Sequence, residues 1–462
     1  MKRRTFIKQT GLAATALSLP AIANAASTIK QPNIIYIMAD DLGYGDFSCF
    51  GQTPFTTPNL DRMAQEGMKF TAHYSGSTVC APSRCSLMTG LHTGHTFIRG
   101  NKEISPEGQF PVPADTFTVA DLMKQAGYKT GIIGKWGLGG PGSSGVPTRQ
   151  GFDYWYGYLC QREAHSFTPS HLWRNEEKVE LDGKTYSHDL LAEDSLRFIR
   201  ENKDNPFFLY LPFTIPHAEL LAPEDAMEPF EDAFDETPFG GQGGYRAQAK
   251  PKAAFAAMVK RLDGDVGRIL DLLNKLKIAE NTLVIFTSDN GPHQEGGHDP
   301  MFFDSNGPLR GIKRDLYEGG IRVPTLAYWP GTIKPGSVSN HPSAFWDFMP
   351  TCAELVGAEI PDNIDGVSFA PTLKGEPEQQ KAHDFLYWEF HVSGGKGIKQ
   401  AVLMGQWKAV RNSPGQALEL YNLDQDLDES DNIARQHPEI IKKIEDYLKT
   451  ARTESKVFPL KI

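Results

Sequence analysis

Several places in this chain gather residue types that can do ionic or nucleophilic chemistry. At Cys80–Gly90 the sequence reads CAPSRCSLMTG, which puts Arg84 four residues after a thiol. Asp40 and Asp41 end the apolar run NIIYIMA, and Asp289 and Asn290 end another, LVIFTS. Cations follow further runs: Lys135 after GIIG, His217 after FFLYLPFTIP, and Lys313 with Arg314 after GPLRG. Two adjacent carboxylates at a buried strand end repel each other and are costly to desolvate unless a cation sits between them. A helix cap or turn would explain either acidic pair alone. Both at equivalent strand ends point to a metal, and an all-oxygen donor set suits calcium or magnesium better than zinc. Lys135, His217, Lys313 and Arg84 together could surround an anion bound there, as transfer to or from a tetrahedral oxyanion requires. This chemistry is that of a metal-dependent hydrolase acting on a sulfate or phosphate ester.

The elements that must position these groups are legible as periodicity. Asn33 to Met38, Phe207 to Phe213 and Leu283 to Thr287 are continuous apolar runs, the pattern of strands buried on both faces. A helix is expected after Thr57-Pro58, stopping at Gly67, and another ends at Gly127 and feeds a strand over 130–134. The stretch DGDVGRILDLLNKLKI reads as an amphipathic helix. Strands alternating with helices predict an α/β fold: a large mixed, mostly parallel sheet sandwiched by helices. Ligands then gather beyond the carboxyl ends of the strands. From about His383 the runs FLYWEF, AVLMGQWKAVR and ALELYNL, followed by PEIIKKIEDYLKTAR, predict a smaller antiparallel sheet with one helix. The expected organisation is an export signal over 1–25, a catalytic α/β domain over 26–380 and a small C-terminal α+β domain over 381–462.

Arg3 and Arg4, a short apolar segment and Ala23-Asn24-Ala25 resemble a twin-arginine export signal with a small-residue cleavage site. That predicts a periplasmic or secreted protein delivered by the twin-arginine machinery, with no membrane span. The chain carries 47 basic and 57 acidic residues, and removing Lys2, Arg3, Arg4 and Lys8 with the signal leaves 43 against 57. So acidic a protein is no partner for nucleic acid. The cysteines (Cys49, Cys80, Cys85, Cys160 and Cys352) are odd in number and have no framework spacing, so the fold must rest on an ordinary core.

CAPSRCSLMTG resembles the signature of the type I (formylglycine-dependent) sulfatases, arylsulfatase-like members of the alkaline phosphatase superfamily. MADDLGYGD, GKWGLG, SDNGP, GPLRGIKRDLYEGGIRVP, QWKAVR and LYNLDQDLDE resemble further landmarks of that family in the same order. The resemblance implies that Cys80 is oxidised to Cα-formylglycine by a formylglycine-generating or anaerobic sulfatase-maturating enzyme. It implies that Asp40, Asp41, Asp289 and Asn290 hold calcium, or less readily magnesium, with the modified residue 80. Arg84 would orient the aldehyde hydrate, Lys135 and Lys313 would bind sulfate oxygens, and His217 would meet the bridging oxygen of the leaving alcohol. The implied function is removal of sulfate from an organic ester, a sulfated small molecule or glycan. The alternatives are a phosphonate or phosphate monoester hydrolase of the superfamily, and a catalytically impaired sulfoglycan-binding homologue.

One position departs from the family pattern: Gly137 stands in GKWGLG where the family shows histidine. His92, His95 and His165 are the neighbouring histidines that could take its role as base towards the hydrate. Substrate recognition is expected from QREAHSFTPSHLWRN, through Gln161, Arg162, His165, His171 and Trp173, and from His293 and Glu295 after SDNGP.

Overall fold

The computed structural model describes residues 31–392 and 397–460. The residues read as an export signal lie outside the described part. The central strand, Asn33–Ala39, shows why the fold forms: its side chains alternate between two cores. Ile34, Tyr36 and Met38 enter one hydrophobic cluster, and Ile35, Ile37 and Ala39 enter the other. A strand with no solvent-facing side must be covered on both faces by helices.

The large sheet has ten strands. In spatial order they are Ser337–Ser339, Met68–Phe70, Thr325–Tyr328, Thr282–Ser288, Asn33–Ala39, Phe207–Pro212, Lys129–Lys135, Tyr154–Tyr158, His171–Arg174 and Glu177–Glu180. The stretch from Thr282–Ser288 to Tyr154–Tyr158 is entirely parallel. Antiparallel pairings flank it on both sides. A separate four-stranded antiparallel sheet spans Leu386–His391, Ile398–Met404, Trp407–Arg411 and Glu419–Asn422, followed by the helix Pro438–Leu448. The expected architecture, a mixed sheet with a parallel centre plus a smaller antiparallel sheet and helix, is the one observed. Trp388 of the smaller sheet packs against Trp346 and Tyr74, 5.4 and 5.3 Å between ring centroids.

Register carries the consequence for chemistry. Ala39 pairs with Ser288 in a parallel ladder, so Asp40 and Asp289 emerge side by side beyond the same sheet edge. Lys135 ends its own strand at that edge, and His217 follows the strand Phe207–Pro212. Part of the stretch expected to recognise substrate is regular structure. His171–Arg174 and Glu177–Glu180 form an edge hairpin, turning at Asn175 with φ +53°, a conformation Asn tolerates better than most residues. Among the described residues no helix is long and apolar enough to cross a membrane.

Candidate active site

Cys80 is the first residue of the helix Cys80–Thr89, every residue of which is buried. The helix ends at Gly90, whose φ of +70° is the left-handed C-cap that glycine adopts without strain. Its first turn is tied to the neighbouring strand end, because Ser83 Oγ donates to the Asp289 carbonyl at 2.6 Å. The thiol therefore sits at a helix N-terminus, where oriented amides favour anions. Burial nevertheless pushes its pKa up to about 12, with Lys135 offsetting only part of that rise. Cys80 is thus a protonated thiol rather than a thiolate, and all five cysteines are free of disulfides.

Around it the strand ends converge. Lys135 Nζ lies 3.5 Å from Cys80 Sγ and donates to Asp40 Oδ2 at 2.6 Å. Arg84 donates through Nε and Nη2 to Asp289 Oδ2, at 3.2 and 2.7 Å, and through Nη1 to the Lys135 carbonyl at 2.5 Å. Its guanidinium thus fixes the carboxylates beneath residue 80. The backbone N–H of Asp41 donates to Asp289 Oδ1 at 3.1 Å, and Asn290 Nδ2 to Asp41 Oδ1 at 2.7 Å. Lys313 Nζ reaches Asp41 Oδ2 at 2.6 Å, His217 Nε2 at 3.1 Å and Glu295 Oε2 at 3.3 Å. The loop carrying Lys313 is held in place where Arg314 N donates to Thr78 Oγ1 at 2.8 Å.

Burial would raise the Asp40 carboxyl, but Lys135, His217 and Arg84 overcome it and hold it well below the usual carboxylate range. Asp289 is pushed the other way, up to about 7, by burial and then by repulsion from Asp40. Such a pair is what a bound cation relieves. Oxygen donors converge here from Asp40, Asp41, Asp289 and Asn290, and Asp40 Oδ1 and Asn290 Oδ1 are buried with no partner among the described residues. The donor set therefore fits a hard divalent ion. Asp40, Asp41, Cys80 and His217 also offer ligand atoms all within 4.8 Å of one another.

The histidines divide into two groups. His165 stacks on His217 at 4.6 Å and 14°, and His293 stacks on it at 5.6 Å and 20°. His92 and His95 stack on each other instead and meet Asp365, with His95 Nδ1 at 2.8 Å from its Oδ1. The structure thus brings His165, and neither of the other two, onto His217. Gln161 is buried beside Gly137, where φ is +82° and a Cβ would collide with Gln161 Nε2. Arg162 is half-exposed and donates to the Pro106 carbonyl. Tyr245, 5.3 Å from His165 and 6.3 Å from His217 between centroids, also borders the site and was missed from the sequence. Its only signal was the glycine-rich FGGQGG before it.

The buried histidines make stability pH-dependent. Burial first of all lowers His73 and His92 to about 4 and His165 to about 2. These rings stay neutral in the fold but take up protons on unfolding once pH drops below about 6.5, so their own contribution to stability is constant above that value and falls towards pH 4. At pH 5 each costs roughly 2 kcal/mol. Relative to a His73→Gln variant, the wild-type melting midpoint should fall between pH 7 and pH 5; a difference between the two that stays constant over that range would contradict the assignment.

Comparison with known proteins adds the family context. A family model described as Sulfatase matches residues 32–358, and one described as N-sulphoglucosamine sulphohydrolase, C-terminal, matches residues 312–454. The N-acetylgalactosamine-6-O-sulfatase of Bacteroides thetaiotaomicron is 29% identical over 92% of this chain and 94% of its own length. Human arylsulfatase A is 33% identical over 80% of this chain and 73% of its own. The solved structure of Ps i-CgsB in complex with k-i-k-neocarrahexaose superposes with a TM-score of 0.77, at 29% identity over 91% of this chain and 93% of that one.

Proposed function

Because this chain belongs to the sulfatase family, and is a sulfatase, we propose that it hydrolyses the sulfate ester of a sulfated carbohydrate at a calcium-supported formylglycine made from Cys80. The observation that supports this most is the convergence of a neutral, buried Cys80 with two lysines, a histidine and four oxygen donors at one sheet edge. A sugar substrate is favoured by the relatives, whose names include a sugar sulfatase and a complex with a neocarrahexaose.

The net reaction consumes one water and converts R–O–SO₃⁻ into alcohol and sulfate. Oxidised to the aldehyde by a maturation enzyme and then hydrated, residue 80 would offer two hydroxyls, one as nucleophile towards sulfur and one with which to release sulfate. Asp40, Asp41, Asp289 and Asn290 would hold a calcium ion, which would supply positive charge towards the sulfuryl oxygens when bound. The protein's own groups do the rest. Lys135 and Lys313 flank the position of the sulfuryl group, and their partners Asp40 and Asp41 hold both ammoniums charged against the penalty of burial. His217 Nδ1 faces the Ala218 carbonyl, so Nε2 is left to share a proton with Lys313 Nζ and pass it to the departing alkoxide. Arg84 holds the carboxylates in register beneath residue 80.

His165, packed flat on His217, restricts that ring's orientation. His165→Ala should lower kcat about tenfold with little change in KM, whereas a fall in KM-limited binding alone would contradict this role. The test of the reaction class compares the sulfate and phosphate monoesters of one aryl alcohol. Faster release from the sulfate supports the proposal, and a dominant phosphatase rate sinks it. The proposal also keeps a catalytic domain up to about residue 380, a small C-terminal domain beyond it, and export through the twin-arginine route after maturation in the cytoplasm. That route carries folded protein, so Cys80 would be modified before it meets an oxidising compartment.

A further inference from the structure

Lys313 is followed by an arginine whose backbone is held in a costly shape. Arg314 has φ +78°, in the left-handed region that a long side chain adopts reluctantly and glycine freely. Its surroundings impose the conformation. Its N–H donates to the Thr78 carbonyl at 3.1 Å and to Thr78 Oγ1 at 2.8 Å, and its own carbonyl accepts from Lys399 Nζ at 2.9 Å. A strained backbone that carries a charged side chain beside a reaction centre points to work for that side chain.

The guanidinium is unlike the other cations of the site. Arg84, Lys135 and Lys313 are buried, each against a carboxylate of its own: Asp289, Asp40 and Asp41. Arg314 is half-exposed, and its side chain makes one ion pair among the described residues, Nη2 to Glu295 Oε1 at 2.5 Å. The other oxygen of Glu295 lies 3.3 Å from Lys313 Nζ, so one carboxylate ties Arg314 to a lysine that flanks the sulfuryl position. The N–H groups at Nε and Nη1 are left for a ligand. Two other arginines in the loops around His165 are already engaged. Arg246 spends its fork on Glu219, Ser166 and Thr168, while Arg162 lies against Glu103 and donates to the Pro106 carbonyl.

The chemistry of the group restricts what it takes. A guanidinium edge matches carboxylates and tetrahedral oxyanions, and its bonds to them are stronger than those to neutral hydroxyls. The chain carries 57 acidic against 47 basic residues, so a multiply anionic glycan is repelled by the protein as a whole and needs such a local cation. We propose that Arg314 is a specificity determinant, which binds a second anionic group, a sulfate or a uronate carboxylate, on the glycan whose scissile sulfate lies at residue 80. The enzyme then prefers esters with two neighbouring anions to those with one. The inference rests on the sulfated-carbohydrate reading above.

The test uses the full, matured enzyme turning over 4-methylumbelliferyl sulfate and reads inhibition constants for three competing sugars. N-acetylgalactosamine 6-sulfate carries one anion, N-acetylgalactosamine 4,6-disulfate adds a second sulfate, and the unsaturated disaccharide of chondroitin 6-sulfate adds a carboxylate. A sugar that is cleaved while the aryl ester is not is read by its KM. Wild type should bind at least one doubly charged sugar about tenfold more tightly than the singly charged one. Arg314→Gln should remove that preference, and Arg314→Lys, which keeps the charge without the fork, should lower it about threefold. Which sugar responds tells sulfate from carboxylate. Should Arg314→Gln fail to fold, Arg314→Lys decides alone. A preference that survives Arg314→Gln overturns the proposal, as does its absence in the wild type, and either result leaves the sulfatase reading standing. Sulfate released from neither the aryl ester nor any of the sugars sinks both.

Discussion

Replacing Cys80 by alanine should lower kcat/KM on an aryl sulfate by at least about a thousandfold while leaving the melting midpoint near that of the wild type. The side chain is buried and small, so its loss costs about 1 kcal/mol of packing at most. The four oxygen donors, Lys135 and Lys313 all keep their partners without the sulfur, apart from the 3.5 Å contact of Lys135. Cys80→Ser should fall about as far. Serine has one hydroxyl where the hydrated aldehyde has two, so it lacks the group that would release sulfate. A serine variant that retained more than a few per cent of turnover would show that a single hydroxyl suffices and would remove the need for an aldehyde.

Stripping divalent cations should abolish turnover and lower the melting midpoint, with calcium restoring both. Asp40, Asp41 and Asp289 are fully buried within one cluster, and repulsion from Asp40 adds to burial in holding Asp289 near pKa 7. Two buried oxygens, Asp40 Oδ1 and Asn290 Oδ1, have no hydrogen-bond partner among the described residues, and a cation would supply one. An ion at a hundred times its dissociation constant adds about 2.7 kcal/mol, a rise of a few degrees for a protein of this length. Differential scanning fluorimetry with chelator, then with calcium or magnesium, reads the shift. A midpoint and a rate both indifferent to chelation would mean that the lysines and Arg84 neutralise the cluster by themselves.

How much of this was legible in the sequence follows from where each signal lives. Strands buried on both faces are continuous apolar runs, so Asp40 and Asp289 stood out as charges that end them, and the parallel register brought them together. The amphipathic helices and the C-terminal hairpins are likewise local patterns. Contacts made by packing between distant loops left no such trace. Nothing local says that His165 stacks on His217 while His92 and His95 turn to Asp365. Nor does Gly137 announce that Gln161 fills the space beside it, a fact carried by a fold-dependent approach of two loops. The edge hairpin over 171–180 was hidden because an exposed edge strand tolerates charged residues such as Glu177, Lys178 and Glu180 and loses its alternation.

The chemistry of the site is decided above all by what residue 80 has become. Intact mass of the peptide containing Cys80, taken from fully active protein, measures it directly. Conversion of the thiol to an aldehyde predicts a loss of about 18 Da relative to cysteine, in a fraction of molecules that rises with specific activity. An unmodified thiol, or a disulfide to any of the other cysteines, in protein of full activity would contradict it.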